Sequence, residues 1–320
     1  MIAPTKFRLA SAMPVLVLVG LCVVISLIEP RFLSLDNLIR IAAASTAPLM
    51  LALGVTFVII MGSIDLSVEG AMAFSSAVLA AGVANAANTG LNLGLAALPL
   101  VVLGTALFGA LVGFIHVFLK VPSFMASLGM SFIGLGMATV LLGGERVVIT
   151  DPYVRALTLT RVLDLPIAIY VAAIMFLAAW VIENHTIFGR HVYALGGAEH
   201  LVVASGVNAN RVRVLAFALS GFFIGVGSIL ASARLGASSV SIGSGQLFTA
   251  ISAIVVGGTA LSGGSGGVAS TLVGVLIVMV LNNGMVIVGL PTFVQQGVLG
   301  VMIIIAVLLN QRNRVLPVVK

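Results

Sequence analysis

Ten apolar runs follow one another along this chain, each about as long as a lipid bilayer is thick, and no other feature limits its folding so strongly. They cover residues 10–28, 40–62, 66–87, 94–118, 122–143, 165–182, 213–233, 246–262, 267–288 and 290–309. A hydrocarbon core of roughly 30 Å takes about 20 helical residues to cross. Inside it every backbone N–H and C=O must bond within the protein, which leaves helices or a closed barrel. Barrel strands would alternate apolar and polar residues, and these runs do not. The expected fold is all-α and integral to the membrane. It is a polytopic helical bundle of about ten transmembrane helices, with broken or re-entrant segments, in a single domain over residues 1–320.

Composition agrees: 61% of residues are hydrophobic and 8% are charged, against the roughly 25% charged that coats a soluble domain. The net charge of +6 comes from basic residues scattered beside the apolar runs. That pattern fits topology signals in a lipid bilayer, not a nucleic-acid surface. An even number of spans puts both termini on one side. With that side cytoplasmic, Lys6, Arg8, Lys120, Arg190, Arg211, Arg213, Arg312, Arg314 and Lys320 fall inside, and Arg31, Arg40, Arg146, Arg155, Arg161 and Arg234 outside. The single cysteine, Cys22, excludes a disulfide framework and a CxxC site. The first apolar run continues into Glu29-Pro-Arg31 without a small-residue cleavage pattern, so it reads as a retained helix.

Two long polar connections remain. One, about 144–165, lies outside in this orientation and mixes Glu145, Asp151 and Asp164 with Arg146, Arg155 and Arg161. It fits a soluble partner or an ordinary solvated loop. The other, about 183–212, separates two apolar halves and holds His185, His191, His200, Arg190 and Arg211 on the cytoplasmic side, with Arg213 just past its end.

Two spans are interrupted, at Gly62-Ser-Ile-Asp-Leu-Ser67 and at residues 257–267, which contain six glycines. Unpaired backbone at membrane depth is tolerated where protein or a water-filled cavity satisfies it, so both breaks point to a pathway. Asp65 and Glu69 lie at the first break, four apart and on one helical face if the helix continues. Asp65 has two readings: a functional intramembrane carboxylate, or an N-terminal cap of a helix beginning near Leu66. The amides Asn282, Asn283, Gln295 and Gln296, with Thr249 and Ser252, suit a neutral polyhydroxylated solute, or else hydrogen bonds that lock helices together. Gly109-xxx-Gly113 and Gly221-xxx-Gly225 read as generic close packing.

Gly263-Gly-Ser-Gly-Gly267 formally matches the G-x-S-x-G nucleophile pattern, but no histidine is placed to serve as its base. No HExxH or other metal-ligand motif occurs. None of Lys6, Lys120 and Lys320 follows a glycine, so there is no G-x-x-x-x-G-K-[ST] phosphate loop. Any ATP motor must be another polypeptide.

Several ordered motifs together resemble the permease subunit of bacterial ribose-type ABC importers, over most of the chain. In the first half they are Gly54-Val-Thr-Phe-Val-Ile-Ile-Met-Gly-Ser-Ile-Asp-Leu-Ser67 and Lys120-Val-Pro-Ser-Phe-Met-Ala-Ser-Leu-Gly129. In the second half they are Phe188-Gly-Arg-His-Val-Tyr-Ala-Leu-Gly-Gly197, Ser205-Gly206, Ala253-Ile-Val-Val-Gly-Gly-Thr-Ala-Leu-Ser-Gly-Gly264, Asn283-Gly284 and Gln295-Gln296. The resemblance implies a bacterial inner-membrane permease for a monosaccharide or small polyol, which binds no cofactor itself. Implied partners are ATP-binding subunits, a second permease copy or homologue, and an extracytoplasmic substrate-binding protein. It also implies a coupling loop with Arg190, Gly196, Gly197, Glu199, His200, Ser205 and Gly206, its short helix near residues 198–206. Where the family reads EAA, this chain has His200-Leu-Val202, and Glu69 stands where the family commonly has glycine. The competing reading is a self-sufficient secondary transporter with Asp65 and Glu69 as a proton or cation relay.

Overall fold

The computed structural model describes residues 6–312, with side chains from Met13 onward except at 292, 296, 303, 306, 307 and 309–312. Arg314 and Lys320 lie outside the described residues, as do the side chains of Lys6, Arg8, Gln296 and Arg312.

Twelve α-helices follow among the described residues. They are α1 (Lys6–Ile28), α2 (Leu35–Ile60), α3 (Val68–Gly82), α4 (Ala97–Phe118), α5 (Ser123–Leu142) and α6 (Pro152–Leu159). The second half adds α7 (Ile167–His185), α8 (Ile187–Ala204), α9 (Ala209–Leu235), α10 (Gln246–Val256), α11 (Val268–Ile287) and α12 (Thr292–Arg312). All ten apolar runs are helical. Six described segments, Leu35–Ile60, Gly94–Phe118, Ser123–Leu142, Ile167–His185, Ala209–Leu235 and Val268–Ile287, are long and apolar enough to cross a membrane. Two others are shorter than their runs: α3 has 15 residues and α10 has 11. At 1.5 Å per residue they reach only about 22 and 16 Å, which makes them partial spans beside the two breaks.

Helix α2 is the centre of the bundle. Every residue from Ser45 to Met61 is buried, as expected of a helix apolar all round. Its neighbour α9 packs on α4 through the two small-residue motifs, which meet each other. A Cβ on Gly109 would lie 2.2 Å from the Phe217 carbonyl oxygen, and one on Gly221 would lie 2.2 Å from that of Thr105. Only glycine permits this approach, so the spacing is a specific contact. Large apolar side chains such as Leu107, Phe132 and Val140 are exposed on the outer helices, where lipid would replace water as their solvent.

Polar pairs join helices inside this core. Thr56 and Thr271 hydroxyls lie 2.8 Å apart between α2 and α11, and Ser76 reaches Ser232 and Ser238. Helix α9, at 27 residues, spans about 40 Å and separates two ends of the bundle. Near its start lie α8 and the residues after α2. At its far end Ala237–Ser238 pairs antiparallel with Val147–Val148, Val147 opposite Ser238, and α6 caps the same end.

Candidate functional site

At the α8 end three irregular segments converge. Helix α8 is interrupted at Ala198, whose φ of −159° and ψ of 73° are not helical, so residues 199–204 form a separate short segment. At its root, Gly196 sits against two backbones: a Cβ there would lie 1.9 Å from the Ile60 carbonyl oxygen and 2.6 Å from the Gly264 nitrogen. Those two atoms are themselves joined, Gly264 N–H donating to Ile60 O at 2.8 Å. The end of α2, the glycine-rich break and the root of the short segment thus share one backbone junction. Gly197, one residue on, meets nothing within 4 Å.

The short segment has two faces. Val202 is buried in the main core, while His200, Leu201 and Val203 are exposed. The triad read from the sequence is therefore split, one member anchoring the segment and two facing out. Glu199 pairs with Arg213 on α9 at 2.5 Å. Ser205 Oγ donates to the Val202 carbonyl, and Gly206 has a φ of +84°, which ends the segment in a left-handed turn. Arg190 is exposed on the first part of α8.

That first part also carries Tyr193, whose single hydroxyl hydrogen faces two acceptors, Glu183 Oε1 and the Gly266 carbonyl, each at 2.7 Å. Glu183, in the last turn of α7, is only 7% exposed and also accepts from the Val268 N–H at 2.9 Å. Val268 opens α11, so the carboxylate sits on a helix N-terminus, where unpaired N–H groups and the helix dipole favour a negative charge. Burial first, and the Glu183 carboxylate second, push the Tyr193 phenol well above its ordinary range, so it stays a donor.

The first break is built differently. Asp65, 2% exposed, accepts from Ser67 N–H at 2.9 Å, Ser67 Oγ at 2.6 Å and, across to α9, Ser220 Oγ at 2.8 Å. The helix that follows starts at Val68, two residues after Leu66, with Ser67 as its N-cap. Asp65 therefore folds a local turn and ties it to α9 without capping α3. Glu69 lies one turn on and accepts from Gly245 N–H, ahead of α10. The helix does not continue through Asp65, so the two acids do not share a helical face, and they bond to different partners. Along the other side Ser123, Ser127 and Ser131 of α5, at i, i+4 and i+8, meet the backbone N–H groups of Ile64, Leu66 and Gly70.

The remaining path residues divide. At the far end a pocket of about 460 Å³ opens between α2, α11 and the end of α9, with Asn37, Arg40, Arg234, Asn282 and Asn283 as its polar lining. Asn37 and Asn283 exchange two amide hydrogen bonds of 3.0 Å, so Asn283 both lines the pocket and locks α2 to α11. Thr249 and Ser252 bond carbonyls one turn back, those of Gly245 and Phe248, and Gln295 bonds the Leu290 carbonyl. These bonds stay within their own chain segments.

Sequence reading missed Asn37, Arg40 and Arg234, which lie at the ends of apolar runs where arginine reads as a topology signal. It also missed Glu183 and Tyr193. The signal for Glu183 was an acid one residue past the end of a span, and for Tyr193 there was none beyond the motif that contains it.

Comparison with known proteins follows this geometry. The profile of the family described as "Branched-chain amino acid transport system / permease component" matches residues 37–307. The ribose import permease protein RbsC of Escherichia coli (strain K12) is 33% identical over 316 residues, 97% of this chain and 96% of the relative. The probable ABC transporter permease protein YphD of the same strain is 37% identical, covering 91% of this chain and 86% of the relative. The galactose/methyl galactoside import permease protein MglC, also of that strain, is 31% identical, covering 92% of each. No solved structure matches the chain significantly. The relatives include the ribose-type import permeases to which the motifs pointed, and the profile match takes in most of the bundle and both breaks. The chain therefore belongs to this family of membrane permease components.

Proposed function

We propose that this chain is the translocating subunit of an ATP-binding-cassette importer in a bacterial inner membrane, with both termini cytoplasmic. It carries a monosaccharide or related small polyol handed over by an extracytoplasmic binding protein. It pairs with a second permease copy or homologue, and separate subunits use the ATP. The observation that carries this reading is the segment 199–204. It is set off by the break at Ala198, presents His200, Leu201 and Val203 outward, and is rooted through Gly196 on the ends of two other segments. An outward-facing helix rooted on two other segments of the bundle is what a borrowed motor needs to push. In this chain the docking surface is apolar and carries one histidine, which suits a partner groove of matching character.

The far-end pocket supports the substrate class. Its 460 Å³ falls within the roughly 300–1,000 Å³ usual for small-molecule sites. Amides and guanidinium groups supply donors and acceptors for hydroxyls. Its described lining contains no carboxylate to receive the ammonium group of an amino acid, which favours a polyol over the amino acids named in the family description. Asp65 and Glu69, bound to separate partners, do not form a relay of adjacent carboxylates.

The test is reconstitution of the chain in liposomes with its ATP-binding subunit and binding protein. ATP-driven uptake of ribose or galactose, and not of leucine, is expected. Glu199→Arg and Gly206→Trp are expected to abolish uptake while the binding protein still docks. Uptake by the chain alone under a proton gradient would overturn the reading.

A further inference from the structure

The junction at the α8 end contains a polar contact that the docking reading does not require. Tyr193 lies on the part of α8 that precedes the Ala198 break, five residues before it. Its hydroxyl faces both Glu183, at the end of α7, and the Gly266 carbonyl in the glycine-rich break. Glu183 in turn holds the first N–H of α11. The fit is close on the glycine side as well: a Cβ on Gly267 would stand 2.7 Å from Glu183 Oε1 and 3.1 Å from the Tyr193 hydroxyl. One hydrogen thus serves two acceptors, one on α7 and one in the break.

Helix α11 connects this contact to the pocket. It is 20 residues long, about 30 Å. Thr271, near its start, is bonded to Thr56 of α2, and Asn283, near its other end, is bonded to Asn37 of α2. Asn282 and Asn283 line the pocket. A helix is stiff along its axis, so displacement of its first turn carries to the last, and a two-position contact at the first turn biases both ends together.

We propose that Tyr193 and Glu183 are positioning residues that pass movement of α8 to the start of α11, and so to the pocket, through the hydrogen bonds at Gly266 and Val268. This rests on the docking role proposed above for residues 199–204. When the docked segment shifts, the Tyr193 hydroxyl exchanges between the Glu183 carboxylate and the Gly266 carbonyl. The N-terminus of α11 then settles into a second position with its N–H groups still covered. Neither residue touches the substrate.

The experiment uses the assembled transporter with its ATP-binding subunit, with spin labels at Leu119→Cys and Val288→Cys in a Cys22→Ala background. Both labelled side chains are exposed, at 64% and 48%, at the ends of α4 and α11. The interlabel distance is read before and after trapping with ATP and vanadate, so no knowledge of the substrate is needed. In the parent protein ATP trapping is expected to move the distance distribution. In Tyr193→Phe, which keeps the ring and removes only the hydroxyl, neither position is held by this contact, and the ATP-driven change in the distance distribution should shrink several-fold. Its melting temperature should fall slightly, as the loss of a partly buried hydrogen bond requires, while retention of the ATP-binding subunit and basal ATP hydrolysis should stay at parent values. Glu183→Gln keeps an acceptor oxygen for both Tyr193 and Val268 and should retain most of the response. A Tyr193→Phe transporter that responds like the parent overturns the proposal. So does one that loses its ATP-binding subunit, since Tyr193 would then serve docking itself. A parent chain that retains no ATP-binding subunit overturns the docking reading, and this proposal falls with it.

Discussion

After α2 the chain leaves its helix for residues 61–67, and after α10 for residues 257–267; the two excursions satisfy their backbone by different means. The first is held by side chains from outside it. Three serines of α5 meet its amides and those of the next turn, and Asp65 ties it to Ser220 of α9. The second is held largely by backbone, with Gly264 on Ile60, Gly263 on Ala260 and Ala260 on Ser265. Its side-chain bonds to the α7–α8 region come through Tyr193 and Glu183. A segment stapled by buried hydroxyls from two long helices has few other arrangements. A glycine-rich segment resting on backbone, with a tyrosine shared between two acceptors, has more. The first break is thereby fixed in the architecture, and the second is the one that the proposed coupling through Tyr193 and Glu183 would move.

The largest expected effect tests the junction where the two breaks touch. Gly196→Ala puts a methyl group 1.9 Å from the Ile60 carbonyl oxygen. Neither partner is a flexible side-chain tip, so the backbones must separate, at a cost of about 3 kcal/mol. The adjacent Gly197→Ala meets nothing within 4 Å and should be neutral. Melting temperatures of the two purified variants check this; equal values would remove the junction from the argument.

Asp65 comes next, because its substitution separates architecture from chemistry. Asp65→Ala removes the acceptor of three hydrogen bonds. The serine hydroxyls can turn to helix carbonyls, but the buried Ser67 N–H cannot, so the loss is about 3 kcal/mol. Asp65→Asn keeps an oxygen for Ser67 and offers an amide hydrogen to Ser220, and should leave stability and uptake close to native. If Asp65→Asn instead folded normally and abolished uptake, the carboxylate would be a proton-handling group and the first break would be part of the mechanism.

These distinctions were only partly legible in the sequence. The ten apolar runs gave ten helices because hydrophobic length is a strong signal. The shortness of α3 was not visible, since Val83, Ala84, Ala86 and Ala87 continue the apolar run past the helix end at Gly82. Hydropathy measures what tolerates lipid, not where a helix stops. The glycine-rich break was plain, but its partners were not: Tyr193 and Gly266 are 73 positions apart, and no periodicity relates them. The split of His200-Leu-Val202 into an anchor and an outward face needed the kink at Ala198. The α5 serines were readable at helical spacing, although nothing in the sequence said that they face the residues after α2. The motif resemblance supplied the docking loop, which composition alone could describe only as polar.

That serine row provides the smallest and most graded test of the comparison. Ser127 is fully buried, accepts from the Leu66 N–H at 2.9 Å and donates to the Ser123 carbonyl at 2.8 Å. Ser127→Ala leaves the Leu66 amide without that acceptor inside the bundle, which should cost about 1–2 kcal/mol. Ser123, half-buried, meets the Ile64 N–H at 3.2 Å. Ile64 is 44% exposed, so solvent can take over that bond, and Ser123→Ala should cost only about 0.5 kcal/mol. If the first break is architectural, both variants lower the melting temperature in this order and leave the ATP-driven change in the Leu119–Val288 label distance at its parent size. A Ser127→Ala variant that melted like the parent but lost that response would place the first break among the moving parts. The contrast between a stapled break and a mobile one would then be withdrawn.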